Sequence, residues 1–256
     1  MTPPTRVCSR GRGARAAVAA ALGLGLGLGF CTATAAATVD DIVSAIGGGV
    51  GVASAQTQRG ISPSFGEPAL FGDVYLRSGG GWQFSLGAAR WASKPGRASG
   101  EFTLALSRSW VLDDDWSFAT TASHYGRLGG QPVRRVGYDE VSVSLSWQGR
   151  GQVLLALSPN TTTALGGGGS ATGRTATLEL SWHERIAGRL SADAGIGHYD
   201  LSALGRPGYS YASAGLSYGI GPWLGSVAYV TNRGAPANAA PEVWRSRWLL
   251  SLWWSY

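Results

Sequence analysis

The sequence predicts an all-β fold: a transmembrane antiparallel β-barrel of about twelve strands at 38–256, preceded by a cleaved signal peptide at 1–37. Three observations predict it. Side chains alternate with period two along most of the chain. Connection lengths alternate between short and long. Tryptophans gather at one end of the hairpins. Each is a physical consequence of a sheet closed on itself in lipid, with one face toward hydrocarbon and the other toward a polar interior.

The last thirteen residues show the alternation most clearly. Trp248, Leu250, Leu252, Trp254 and Tyr256 share one parity, while Arg245, Arg247, Leu249, Ser251, Trp253 and Ser255 share the other. The apolar stripe covers 248–256, and a tilted strand needs about 9–11 residues to cross a bilayer. An aromatic last residue after alternating apolar positions resembles the C-terminal strand of bacterial outer-membrane β-barrels. That resemblance implies that Trp248, Leu250, Leu252, Trp254 and Tyr256 form the signal read by the barrel-assembly machinery. The last strand of a soluble sandwich is the alternative reading of these residues alone.

Composition permits a barrel and argues against a helical membrane protein. Among 256 residues there are 40 glycines and 11 tryptophans, and charged residues make up 14%. Mean hydropathy is +0.02, as expected where lipid-facing and lumen-facing residues cancel. No stretch reads as a 20-residue apolar helix.

The N-terminus has the organisation of a secretory signal: Arg6, Arg10, Arg12 and Arg15, a small apolar run at 16–30, and small residues at 33–37. Cleavage is expected after Ala37; a retained N-terminal anchor is the alternative. Phe30 before Cys31 argues against a lipoprotein site. Cys8 and Cys31 both fall in the signal, so the mature chain has no disulfide or thiolate metal site. Losing the four arginines takes 21 basic residues to 17 against 15 acidic, so formal charge falls from +6 to +2. A nucleic-acid partner is therefore not implied by the pI near 9.7.

Twelve strands are predicted at 47–60, 67–78, 81–92, 98–112, 116–126, 137–148, 150–159, 173–184, 188–200, 208–220, 222–233 and 243–256. In the sixth, Val141, Val143, Leu145 and Trp147 oppose Tyr138, Glu140, Ser142, Ser144 and Ser146. In the eighth, Ala176, Leu178, Leu180 and Trp182 oppose Thr175, Thr177, Glu179, Ser181 and His183. The third and fourth alternate similarly; the first, fifth and seventh have no clear register. Connections after even-numbered strands are tight, and most after odd-numbered strands are longer. Outer-membrane barrels have short periplasmic turns and long extracellular loops. Trp82, Trp110, Trp116, Trp147, Trp182, Trp223 and Trp254 flank the short connections or the C-terminus, which predicts one interfacial aromatic belt. Backbone groups in hydrocarbon must be paired, so the first and twelfth strands are expected to join.

Several short motifs, in order, resemble the TorF-type porin family: Arg59-Gly60-Ile61-Ser62, Glu67-Pro68-Ala69-Leu70, Gly100-Glu101-Phe102, Tyr138-Asp139-Glu140-Val141, Gly197-His198-Tyr199-Asp200 and 211–218. In that family the Arg-Gly-Ile-Ser stretch ends the first strand. Two positions depart from the pattern: Gln56 stands where an aromatic is usual, and His124-Tyr125-Gly126-Arg127 replaces a tyrosine-proline element. The resemblance implies an outer-membrane location and passive passage of ions or small polar solutes, with outer-membrane lipid and the barrel-assembly machinery as partners and no nucleic acid.

Parity places Glu140, Glu179 and Asp193 inside, with Arg59 and Arg77 as further pore-lining candidates. An outward Arg or Lys costs about 2–4 kcal/mol near the bilayer midplane. A lumen carrying both signs has two readings: a field that selects solutes, or ion pairs bracing a nearly closed interior. The second would make a plugged structural or adhesion barrel that binds partners through its surface loops. An outer-membrane hydrolase is the third reading. Only His124, His183 and His198 are present to serve it. His183 falls at the periplasmic end, the wrong place for such a site, and no serine or carboxylate stands at a catalytic spacing, so His124 is the residue whose replacement tests it. No catalytic, cofactor or metal residue is assigned.

Overall fold

The computed structural model describes residues 45–92, 99–129, 137–164, 170–234 and 240–256. The expected signal peptide and its cleavage site lie outside them. Twelve strands follow in order: β1 (Ala45–Ala53), β2 (Ala69–Arg77), β3 (Trp82–Trp91), β4 (Gly100–Val111), β5 (Trp116–Leu128), β6 (Tyr138–Trp147), β7 (Gly151–Ala164), β8 (Ser170–Ala187), β9 (Leu190–Asp200), β10 (Tyr209–Ile220), β11 (Trp223–Arg233) and β12 (Arg247–Ser255). Each pairs antiparallel with its sequence neighbours, and β1 pairs with β12, so the sheet is a closed barrel. The seam runs from Gly49 opposite Ser255 to Ala53 opposite Ser251. Closure leaves no strand edge to be satisfied by lipid.

The outer face is apolar all round. Leu70, Leu86, Leu104, Val141, Leu155, Leu178, Ile196, Leu216 and Leu250 are all exposed on the barrel exterior. Large aliphatic groups facing outward from strand after strand make a surface suited to hydrocarbon, since their exposure to water costs about 25 cal/mol per Å². The inner parity buries Gln83, Ser85, Thr103, Glu140, Thr175, Thr177 and Ser217. The described helices are too short to cross a membrane.

The short connections are 78–81, 112–115, 148–150, 188–189 and 221–222; every connection after an odd-numbered strand is longer. The hairpin after β6 shows how tightness is reached. Gln148 and Gly149 both have positive φ (49° and 64°), and Arg150 N–H donates to the Trp147 carbonyl at 2.8 Å. Two left-handed central residues make a turn whose twist matches the strands it joins. At this end the rings form a belt: Trp110 on Phe118 at 5.6 Å, Trp147 on Trp182 at 5.6 Å, Trp223 on Trp254 at 6.5 Å and Trp254 on Tyr256 at 5.6 Å.

Four expected strands are corrected in extent. The first strand ends at Ala53, not at 60, and Arg59-Gly60-Ile61-Ser62 lies beyond it. Positive φ at Arg59, Gly60, Phe65 and Gly66 turns the backbone out of the extended region. The seventh and eighth strands run past their expected ends, through a register shift between Ser158 and Thr161 that accommodates Pro159. The twelfth begins at Arg247, after the single helical turn α1 (Pro241–Trp244), with Pro241 in the first turn where its missing N–H costs nothing. The three undetermined registers are settled by pairing with neighbours. Val50 and Val52 of β1, Phe118 and Ala122 of β5, and Val153, Leu155 and Leu157 of β7 share the outward parity.

Candidate functional site in the barrel lumen

Residues 54–68, between β1 and β2, fold into the barrel instead of away from it. Gln56 is 1% exposed, and Ser62 and Ser64 are 0% exposed, so this segment lies deeper than most of the wall. It is held by its own short side chains. The Ser64 hydroxyl accepts from Gln56 N–H (2.9 Å) and donates to the Glu67 carbonyl (2.8 Å). The Ser62 hydroxyl donates to the Gln56 carbonyl (2.8 Å) and accepts from Gly66 N–H (3.0 Å). Serine hydroxyls that bond nearby backbone give the chain an alternative to a sheet ladder.

The tip of this strap is a miniature hairpin. Gln58 and Ile61 exchange both backbone hydrogen bonds, at 2.8 and 3.0 Å, around Arg59-Gly60. Both central residues have positive φ (49° and 75°), the requirement of a type I′ turn. Gly60 serves a second purpose there. A Cβ at this position would collide with Cβ of Tyr211. The strap thus presses directly on the wall at β10, and Asn232 of β11 fixes it by donating to the Gly60 carbonyl at 2.7 Å.

Arg59, carried on this tip, reaches across the lumen. Its Nη2 donates to Glu140 Oε2 of β6 at 2.6 Å, and both side chains are 7% exposed. The guanidinium also lies 5.1 Å from the centre of the Tyr199 ring. Burial opposes its charge, but Glu140 and the surrounding oxygens outweigh it, and its pKa stands well above the ordinary arginine value. Beside it, Gln58 donates to Tyr138 Oη at 3.0 Å, and Tyr138 stacks on Tyr125 at 4.5 Å. Gln56 donates to Glu101 Oε1 at 3.1 Å, and Arg127 approaches the other oxygen of Glu101 at 3.5 Å. The strap is therefore tied to β4, β6 and β11 at once.

The other expected lumen residues do not join this crossing as closely. Glu179, on the inner face of β8, lies within the electrostatic reach of Arg59 but forms no ion pair with it. Asp193 sits nearer the short-turn end. One oxygen meets His183 Nδ1 at 2.7 Å, and the other accepts from the Ser217 hydroxyl at 2.9 Å. The carboxylate stands in the middle of that trio. In a nucleophilic relay the imidazole must stand between hydroxyl and carboxylate, so this order does not activate Ser217. Arg77 lies at the same end, donating to Gln83 Oε1 at 3.0 Å and lying 5.7 Å from the Tyr75 ring centre. His124 faces outward at the other end, 2.7 Å from Asp139, which also accepts from Asn160.

Opposite the polar wall the lumen is aromatic. Phe71 stacks on Trp253 at 5.4 Å, and Ala69, Ala89 and Trp91 pack with them. The inward side of β1 is glycine at 47, 49 and 51, and a Cβ at Gly49 would run into the Trp253 ring. The small residues make room for the large ones on the next strands.

Glu101 and Tyr138 carry the same inward parity in the sequence as Glu140, and the structure adds both to the crossing. Gln58 and Ser217 have no distinguishing signal in the sequence, because their partners are distant along the chain.

Solved structures share this architecture. The NanC porin superposes with a TM-score of 0.56 at 13% identity, over 83% of this chain and 99% of that one. The KdgM porin superposes with a TM-score of 0.50 at 10% identity, with the same coverage. At such identities the likeness is one of fold. Neither the family models nor the curated protein sequences gave a match. The chain is a closed twelve-stranded antiparallel barrel, and its fold is shared with these two porins.

Proposed function

We propose that this chain is an outer-membrane porin of the TorF type, giving passive passage to ions or small polar solutes through a lumen narrowed by residues 54–68. The observation that carries the proposal is the Arg59–Glu140 pair inside a polar-lined closed barrel. A cation and an anion set in a constriction create a local field that acts on whatever passes. The Arg59-Gly60-Ile61-Ser62 motif gains a physical meaning in this reading: it builds the tip that carries the arginine. Arg77, Glu179 and Asp193 line the path toward the short-turn end, which is periplasmic. The leader at 1–37 directs export, and the stripe Trp248, Leu250, Leu252, Trp254 and Tyr256 is read by the barrel-assembly machinery.

A second reading has its own observation. The strap is hydrogen-bonded to three separate strands, which suits a plug as well as a constriction. Flux into proteoliposomes containing the folded barrel separates the two. A channel admits potassium and small sugars faster than protein-free vesicles do, with a cut-off as solute size rises. Vesicles that hold folded barrel and stay sealed to ions would overturn the channel and favour the plugged barrel.

A further inference from the structure

Two tryptophans of the aromatic belt hold an arginine that faces the membrane. Arg108 and Trp82 are direct cross-strand neighbours on β4 and β3. Trp110 lies two residues along the same strand, and hence on the same face. That face is the outer one, with Leu104 and Leu106 exposed along it. The guanidinium lies 5.2 Å from the Trp82 ring centre and 5.0 Å from that of Trp110. Such contacts fix the plane of the group and cover its faces. Among the described residues no carboxylate pairs with it, and its Nε is buried with no hydrogen-bond partner. Another arginine near this end is treated differently: Arg150 meets Glu184 at 3.4 Å.

An unneutralised guanidinium on a lipid-facing surface calls for an anion from the membrane. Its depth is set by Trp110 and by the turn that follows β4, which is the level of the lipid headgroups. The hydrogen-bond fork of a guanidinium matches two oxygens of a phosphate, and the donor geometry here is already fixed by stacking. We propose that Arg108, clamped by Trp82 and Trp110, is a binding site for the phosphate group of an anionic phospholipid in the periplasmic-side leaflet. The chemistry is that of any phosphate monoanion, but the position on the apolar exterior selects one carried by acyl chains.

The test is native mass spectrometry of the full chain extracted in detergent and titrated with phosphatidylglycerol, with phosphatidylcholine in parallel. Heat-dependent gel mobility reports that each variant is folded. Phosphatidylglycerol should bind more tightly than phosphatidylcholine, and Arg108→Gln should weaken it by about tenfold, the scale of a lost charge-assisted hydrogen bond. Arg108→Lys should fall between the two, and Arg90→Gln, at the far end of the barrel exterior, should bind as the parent does. If Arg108→Gln fails to fold, Trp82→Leu carries the same expectation of weaker binding through the lost clamp. Equal affinity for the two lipids, or unchanged affinity in Arg108→Gln or Trp82→Leu, would overturn the site. Arg108-dependent binding of inorganic phosphate without any of phosphatidylglycerol would overturn the lipid assignment.

Discussion

The wall of the barrel and the strap inside it are built on different principles. In the wall, β1 to β12 pair with their neighbours through one closed ladder, shifted in register within β7 and β8, and position along the strand decides which way each side chain points. In the strap, Gln58 and Ile61 pair with each other, the Ser54 and Ser62 N–H groups donate to the Leu250 and Val243 carbonyls, and the Ser62 and Ser64 hydroxyls bond nearby backbone. The wall is a repeating object stabilised by lipid outside and by pairing within. The strap is a single object held by a few distant contacts, chiefly to β4, β6 and β11. Wall substitutions should therefore change folding, and strap substitutions should change what occupies the lumen in a barrel that still folds.

The largest effect should come from Glu140→Gln. It leaves Arg59 buried without its partner, and breaking a buried pair from one side costs about 3–5 kcal/mol. The strap should undock while the wall stays closed. With Ser62→Cys as a reporter at a fully buried site, thiol labelling should accelerate by about a hundredfold or more in Glu140→Gln. Gel mobility should remain that of the folded barrel. Unchanged labelling would show that the pair does not hold the strap.

Leu178→Arg tests the wall. Leu178 is exposed on the outer face of β8, and an arginine in that environment costs about 2–4 kcal/mol near the midplane. Folding into vesicles, followed by urea titration, should show the loss, while labelling of the Ser62→Cys reporter in barrels that do fold should not change. A matching rise in labelling would erase the distinction between the two regions.

How much of each region is legible in the sequence follows the same division. The outward stripes of β3, β4, β6, β8 and β12 are readable because alternation repeats, and one parity error would expose every polar residue to lipid. Glu140 falls on the inner face by that logic, as the structure shows. The register of β7 is not readable, because inward Leu154 and Ala156 are as apolar as outward Val153 and Leu155; its neighbours decide it. The strap reads from sequence as the end of the first strand. Its residues carry no period, and the tip that turns the chain back rests on the pair of positive φ values at Arg59-Gly60, beyond the strand's end at Ala53. Asn-Gly and Asp-Gly advertise such a turn, whereas Arg-Gly does not. The partners that hold the tip, Tyr138, Glu140 and Asn232, lie far along the chain.

Smaller effects refine the picture of the strap. Gly60→Val forces a branched residue into a left-handed turn, at about 1–2 kcal/mol, and directs its side chain at Tyr211. The tip should shift without full release, giving a labelling rate between those of the parent and Glu140→Gln. Tyr138→Phe removes the partner of Gln58 and should cost about 1 kcal/mol, a few-fold rise in the same assay. A rate for Tyr138→Phe above that of Glu140→Gln would reverse the ranking and move the anchor from the ion pair to the tyrosine.

Whether residues 54–68 set the width of the pore is best decided by single-channel conductance in a planar bilayer, comparing the parent barrel with Glu140→Gln. The parent should give discrete steps and the variant larger ones, because the same lumen widens when the strap leaves the crossing. Steps of equal size in two folded barrels, one whose Ser62→Cys thiol is protected and one whose thiol is freely labelled, would show that the strap does not limit the pore.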